Sequence, residues 1–172
     1  MSLMIEIRAE RQSDRDEIHK LNMAAFDKGP EADVVDKLRA ACKDYLSFVA
    51  VEAGRVVGHI LFTPVTVDGC PVTGMGLAPV AVLPPHQRQG IGSQLVSYGL
   101  EFLRTNGCPF VIVLGHPGYY PRFGFEPASK YGLVSQWEGV PDEAFIIAIF
   151  DKSTLPETGG TARYRDEFNE AM

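Results

Sequence analysis

Apolar and polar residues alternate through Ile5-Glu6-Ile7-Arg8-Ala9, the period-two pattern of a half-buried strand. The period then lengthens. Ile18, Leu21 and Ala25 line one face behind Ser13, which predicts an N-cap, and behind Asp14, Asp16 and Glu17, which suit the positive end of a helix dipole. Gly29-Pro30 ends that helix, and Val34, Val35, Leu38 and Ala41 predict a second one from about Glu31 to Cys42. Runs at 46–51 and 56–62, joined by Glu52-Ala53-Gly54-Arg55, read as a hairpin. Asp68-Gly69 supplies a second hairpin turn between the strand end at 65–67 and a return strand through 76–83.

Pro84-Pro85 stops that strand, and 92–106 follows as a helix with Leu95, Val96, Gly99, Leu100 and Leu103 inward and Asn106-Gly107 at its end. A buried strand at 110–114, a short helix and a last strand at 144–150 complete the order. This order predicts an α/β fold, a mixed and mostly antiparallel central sheet flanked by helices on both faces. The 172 residues suit a single domain, with a core over about 4–150 and a polar tail over 151–172 in which Thr161-Ala162-Arg163-Tyr164 is a candidate edge strand. Met1 to Leu3, ahead of a second methionine at Met4, reads as partly an expression scar and is set aside.

Composition narrows the function classes. A hydrophobic content of 45% with 22% charged residues is that of an ordinary folded chain, and no apolar run approaches the ~20 residues of a membrane span. No secretory signal precedes the first strand, and three cysteines (Cys42, Cys70, Cys108) cannot pair completely, so reduced thiols and a cytoplasmic setting are expected. A net charge of -6 without a cluster of bases argues against a nucleic-acid partner. The charge is uneven, however: residues 84–130 carry Arg88, Arg104, Arg122 and Lys130 against only Glu101 and Glu126.

Inside that basic stretch lies Val80-Ala81-Val82-Leu83-Pro84-Pro85-His86-Gln87-Arg88-Gln89-Gly90-Ile91-Gly92-Ser93, a strand, a glycine-bearing loop and a helix start. Gly90 and Gly92 let the backbone approach a ligand closely, and the helix end offers N–H groups and a positive dipole, which suits a pyrophosphate. A dinucleotide fold wants a third glycine where this chain has Leu95, and no Gly-Lys-Ser or Gly-Lys-Thr completes a Walker loop.

Gln87-Arg88-Gln89-Gly90-Ile91-Gly92 resembles the acyl-CoA pyrophosphate loop, Gln/Arg-x-x-Gly-x-Gly/Ala, of the GNAT acyltransferase superfamily. About 30 residues on, Tyr120-Pro121-Arg122-Phe123-Gly124-Phe125 is similar to the second motif of that family, Tyr-x-x-x-Gly-Phe. The run from Leu114 to Phe125 looks most like a bacterial branch of YhbS-like N-acetyltransferases. The resemblance implies a GNAT fold and transfer of an acetyl group from acetyl-CoA to a primary amine of a small molecule or peptide, by direct attack while both substrates are bound. No metal is expected, because His19, His59, His86 and His116 show no mutual ligand spacing.

Carried over by position, the amides of Arg88, Gln89, Gly90, Ile91, Gly92 and Ser93 would cradle the pyrophosphate, and pantetheine would lie along Val80, Ala81 and Val82. An amide near Val82 would polarise the thioester carbonyl. Tyr120 matches the tyrosine that gives a proton to the departing sulfur, with Tyr119 the neighbour that competes for that assignment. The strand at 77–83 lacks the acidic residue many relatives use as base, so Glu31, Asp33, His116 and a water stay open for that role. A catalytically silent acyl-CoA-binding module and an enzyme for a longer acyl donor are the alternatives. A homodimer is common in such folds.

Overall fold

The computed structural model describes residues 4–172, and Met1 to Leu3 lie outside the described residues. Nine strands and three α-helices are present among them. They are β1 (Glu6–Ala9), α1 (Arg15–Ala25), α2 (Glu31–Ala41), β2 (Leu46–Glu52), β3 (Arg55–Val67), β4 (Gly74–Val82), α3 (Ile91–Thr105), β5 (Phe110–Leu114), β6 (Glu126–Pro127), β7 (Leu133–Ser135), β8 (Phe145–Ile149) and β9 (Gly160–Arg163). Contacts gather the chain into two compact units. One runs through Phe62 and adds Pro79–Gly99 and Glu167–Met172, and the other holds Thr63–Ala78 and Leu100–Asp166.

In the first unit the sheet order is β1-β2-β3-β4. β1 and β2 are antiparallel, with Glu6 opposite Val51 and Ala9 opposite Phe48, and β2 pairs antiparallel with β3 from Leu46↔Phe62 to Glu52↔Arg55. Helix α1 begins differently from the sequence expectation. Ser13 is exposed and caps nothing that is seen. Asp14 instead accepts from the Arg11 amide at 2.7 Å and from both Arg8 terminal nitrogens at 2.7 and 3.0 Å. A carboxylate gripped by a guanidinium outcompetes a neutral hydroxyl. The Arg8 hydrogen bonds also hold the Asp14 carboxyl below its usual range.

The α1 face also differs by one position: Ile18 and Leu21 are buried as expected, but Asn22 rather than Ala25 completes the stripe, at 0% exposure. On α2, Val34, Val35 and Leu38 are buried, while Ala41 faces solvent and Cys42 beyond it is covered. On α3, Leu95, Val96, Gly99, Leu100 and Leu103 are all buried as their spacing predicts. Gly99 is required there, because a Cβ would overlap the ring of the fully buried Phe62.

In the second unit β4 pairs parallel with β5 at Met75↔Val111 and Gly76↔Ile112, and β5 pairs antiparallel with β8 from Phe110↔Ile149 to Leu114↔Phe145. β5 is apolar throughout because it is buried on both faces. The tail strand expected near Thr161 forms as β9, antiparallel to the end of β3 and parallel to β7. Tyr164, just beyond it, donates its hydroxyl to the Ile112 carbonyl at 2.8 Å, and its ring and Val65 fill the space a side chain at Gly76 would need. The architecture is a mixed α/β fold whose sheet is mostly antiparallel. No helix among the described residues is long and apolar enough to cross a membrane.

Candidate functional site

The glycine-bearing loop belongs to the first unit. Beyond Val82, Leu83 returns its amide to the Val57 carbonyl at 2.9 Å, and Pro84–His86 make one 3-10 turn. The Gln87 side-chain amide donates to the Val82 carbonyl at 2.9 Å and so ties the loop to the end of β4. Arg88 then takes φ +64° and Gly90 φ +85°, both left-handed, before α3 starts at Ile91. Left-handed residues set between ordinary ones turn successive N–H groups toward one side and form an anion-binding concavity.

The first bond of α3 runs from the Gln94 amide to the Gly90 carbonyl at 3.0 Å, so the amides of Ile91, Gly92 and Ser93 precede the ladder at the positive end of a 15-residue helix. Gln87, Arg88, Gln89 and Gly90 are exposed, whereas Ile91 is anchored in the core. Its anchor is Gly58 on β3, where a Cβ would come within 2.9 Å of Leu95 and 3.1 Å of Ile91. Val80 and Val82 are half-buried and Ala81 is buried on β4, beyond the Met75 and Gly76 positions at which that strand pairs with β5.

Tyr120 belongs to the second unit. After β5 the Gly115 amide bonds the Ala144 carbonyl at 2.9 Å, and the His116 carbonyl accepts from the amides of Tyr119 and Tyr120 at 3.0 and 3.3 Å. Gly115 makes room for the Tyr120 ring, which a Cβ there would overlap, and Phe125 meets that ring edge-on at 5.7 Å. Tyr120 is 8% exposed, and burial pushes its phenol up to about 12. Tyr119 lies further out, its ring 4.7 Å from the Arg122 guanidinium, which also donates to the Tyr119 carbonyl. Of the two tyrosines, Tyr120 is therefore the one built into the fold.

The three base candidates separate by environment. His116 is exposed and its Nδ1 accepts from the Gly118 amide at 3.0 Å, which staples its own loop. Asp33 is exposed on α2. Glu31 opens the first turn of α2, and its Oε2 is buried without a hydrogen bond among the described residues. It follows a link in which Asp27 and Lys28 both take left-handed backbone, at φ 50° and 61°.

Sequence reasoning missed a polar interior in the first unit. Arg39 grips Glu10 with two nitrogens at 2.6 and 3.1 Å, Ser47 Oγ donates to Glu10 at 2.9 Å and also meets His59 Nε2 at 2.9 Å, and Asn22 Nδ2 lies 3.3 Å from His59 Nδ1. Complete burial, with the Arg39 charge nearby, drives the His59 imidazole down to about 3, so it is neutral at ordinary pH. The missing signal was partnership across the sequence: residue spacing within one element carries no trace of it.

The model of an acetyltransferase (GNAT) domain matches residues 6–128. The chain is 35% identical to the Escherichia coli K12 protein called uncharacterized N-acetyltransferase YhbS over 164 residues, covering 95% of this chain and 98% of that one. It is 43% identical over 123 residues to E. coli YjhQ, another uncharacterized N-acetyltransferase, covering 69% of this chain and 67% of that one. A crystal structure of E. coli YhbS in complex with CoA superposes with a TM-score of 0.91 at 35% identity over 98% of this chain and 94% of that one. A GNAT acetyltransferase from Brucella melitensis in complex with acetyl-CoA gives 0.81 at 37% identity, covering 97% and 99%. With the loop, the tyrosine turn and the sheet order already in place, these matches establish that the chain belongs to the GNAT family of acetyltransferases, which draw their acyl group from acyl-CoA.

Proposed function

We propose that the chain transfers the acetyl group of acetyl-CoA to a primary amine of a small molecule or peptide, by direct attack with both substrates bound. The observation that carries this reading is the loop in which Arg88 and Gly90 hold left-handed backbone immediately before the start of α3. Gln87, Arg88, Gln89, Gly90, Ile91, Gly92 and Ser93 would hold the pyrophosphate, with Arg88 adding charge. The strand edge at Val80, Ala81 and Val82 would take pantetheine as an extra strand, and the Val82 region would polarise the carbonyl. The complexes of two relatives with CoA and acetyl-CoA support acyl-CoA as the ligand.

In the reaction the amine nitrogen bonds to the carbonyl carbon, the carbon–sulfur bond breaks, and the sulfur leaves with the electron pair. One proton must leave the amine and one must reach the sulfur. A phenol near 12 is a weaker acid than a thiol near ~8.5, and full transfer between them runs uphill by about 5 kcal/mol. Tyr120 therefore acts as a hydrogen-bond donor that steadies the thiolate, and the proton arrives by way of water or the amine. Among the base candidates Glu31 is favoured by its buried, unpartnered carboxylate oxygen.

A second reading, a catalytically silent acyl-CoA-binding module, is favoured by the absence of a carboxylate from residues 77–83. Calorimetric titration of the wild type and Gly92→Asp with acetyl-CoA tests the first step. The expected result is saturable micromolar binding by the wild type that is lost in the folded variant. Failure of folded wild type to bind acetyl-CoA overturns both readings, and binding without thiol release across a panel of primary amines favours the second.

A further inference from the structure

We propose that His19 on α1 with Asp33 and Asp36 on α2 forms a binding site for one divalent transition-metal ion of the zinc class. One imidazole nitrogen and one oxygen from each carboxylate all lie within 4.8 Å of one another. Asp33 and Asp36 stand three apart on one helix, so they share a face, and the packing of α1 on α2 brings His19 to it. His19 Nδ1 and Asp36 Oδ2 are already 2.8 Å apart. Metal–ligand bonds of ~2.0–2.2 Å require donors about 3 Å apart, a contraction that the exposed Asp33 can supply by changing rotamer.

Two further features converge on the same place. An open surface pocket lined by Arg15, Asp16, His19, Asp36, Arg39 and Ala40 adjoins two of the three donors, which leaves room for waters to complete the coordination. The second concerns how Asp36 is held. Its other oxygen accepts from Arg39 at 3.1 Å, and Arg39 is fixed by its paired bonds to Glu10, both side chains being almost wholly buried. A ligand oriented from behind in this way loses less freedom on binding.

The local charge suits a cation. Glu10 neutralises Arg39 and Glu170 neutralises Lys37 at 2.7 Å, so Asp16 and Asp36 line the pocket against Arg15, with the Asp33 carboxylate beside His19 and Asp36. A mixed imidazole and carboxylate set selects zinc, cobalt or nickel over calcium or magnesium, which prefer oxygen alone. The expectation of no metal rested on the spacing between histidines, which is blind to a set built from one histidine and two aspartates on different helices. An ion here would clip α1 to α2, and the inference stands apart from the acyl-transfer reading.

The test titrates the full chain, free of any affinity tag, with zinc by calorimetry and with cobalt by visible absorption, and repeats both with His19→Ala and Asp33→Asn. Saturable one-to-one binding with cobalt d–d bands is expected for the wild type, weakened roughly tenfold or more in each variant. His19 is half-buried and Asp33 exposed, and circular dichroism checks the fold. Absence of saturable binding by the wild type overturns the proposal. So does unchanged binding in the variants, which would place the metal elsewhere.

Discussion

Arg88 at φ +64° and Gly90 at φ +85° turn the backbone left-handed twice within three residues, directly ahead of α3. Glycine does this freely, whereas arginine gives up about 1–2 kcal/mol to do so. Strain of this kind persists where the surrounding structure enforces it, and it clusters at ligand clamps. Arg88→Asn should keep the loop, since asparagine tolerates the left-handed region, and should remove only the charge. Acetyl-CoA affinity should fall about three- to tenfold and lose part of its salt dependence. Arg88→Val, with a branched Cβ that resists this φ, should weaken binding further. Calorimetry at two ionic strengths separates the two effects, and equal affinity in all three proteins would remove Arg88 from the cradle.

Gly58 positions the loop from beneath. A methyl group there meets Leu95 at 2.9 Å, Ile91 at 3.1 Å and Ala50 at 3.2 Å, so Gly58→Ala should crowd these side chains and strain the packing of α3 on β3. Overpacking of this sort costs about 1–3 kcal/mol. Urea denaturation should show that loss, and acetyl-CoA affinity should fall with it although no loop residue has changed. Full affinity in a destabilised variant would show that the loop floats free of its anchor.

The parts of the fold that were legible in the sequence are those whose signal is local. Leu95, Val96, Gly99, Leu100 and Leu103 repeat along one helix, and Gly90 and Gly92 stand at a strand-to-helix junction, so α3 and the loop could be placed before any coordinates. β6 and β7, with two and three residues, are too short to show a period. Asn22 entered the α1 face because its partners, His59 and the Ile18 carbonyl, accept a polar group in the core. Tyr164 could not be assigned from its polar tail, because only the folded chain reveals the Ile112 carbonyl it satisfies.

Tyr120→Phe isolates the phenol hydroxyl. The ring sits over Gly115 and against Phe125, and both contacts survive the change, so stability should shift by less than about 1 kcal/mol. Acetyl-CoA affinity should stay within about twofold. Thiol release with an amine the wild type acetylates should fall about 10- to 100-fold, the loss of one hydrogen bond to a charged sulfur in the transition state. Undiminished turnover would mean that the sulfur is stabilised from elsewhere and that Tyr120 is a packing residue.

His59 makes the stability of the chain depend on pH from a point above the range in which carboxylates titrate. Burial first, and the Arg39 charge second, lower its imidazole from the ordinary 6.5 to about 3. Below pH 6.5 the unfolded chain takes up a proton at this residue that the folded chain refuses, so the unfolded state binds more protons and stability falls as pH falls. The contribution is complete above 6.5 and is lost progressively down to about 3. Between pH 6.5 and ~4.5 the loss should reach about 2–3 kcal/mol. Asp14, whose carboxyl is held below its usual range by Arg8, contributes its own loss only at lower pH. Urea unfolding at pH 7 and pH 4.5 measures the slope in the wild type and in His59→Gln, whose neutral amide can still meet Ser47. The variant starts less stable, but its stability should change by under ~1 kcal/mol across the window, because it has no proton to gain on unfolding. Parallel slopes in the two proteins would show that the buried imidazole is not the group that couples folding to pH.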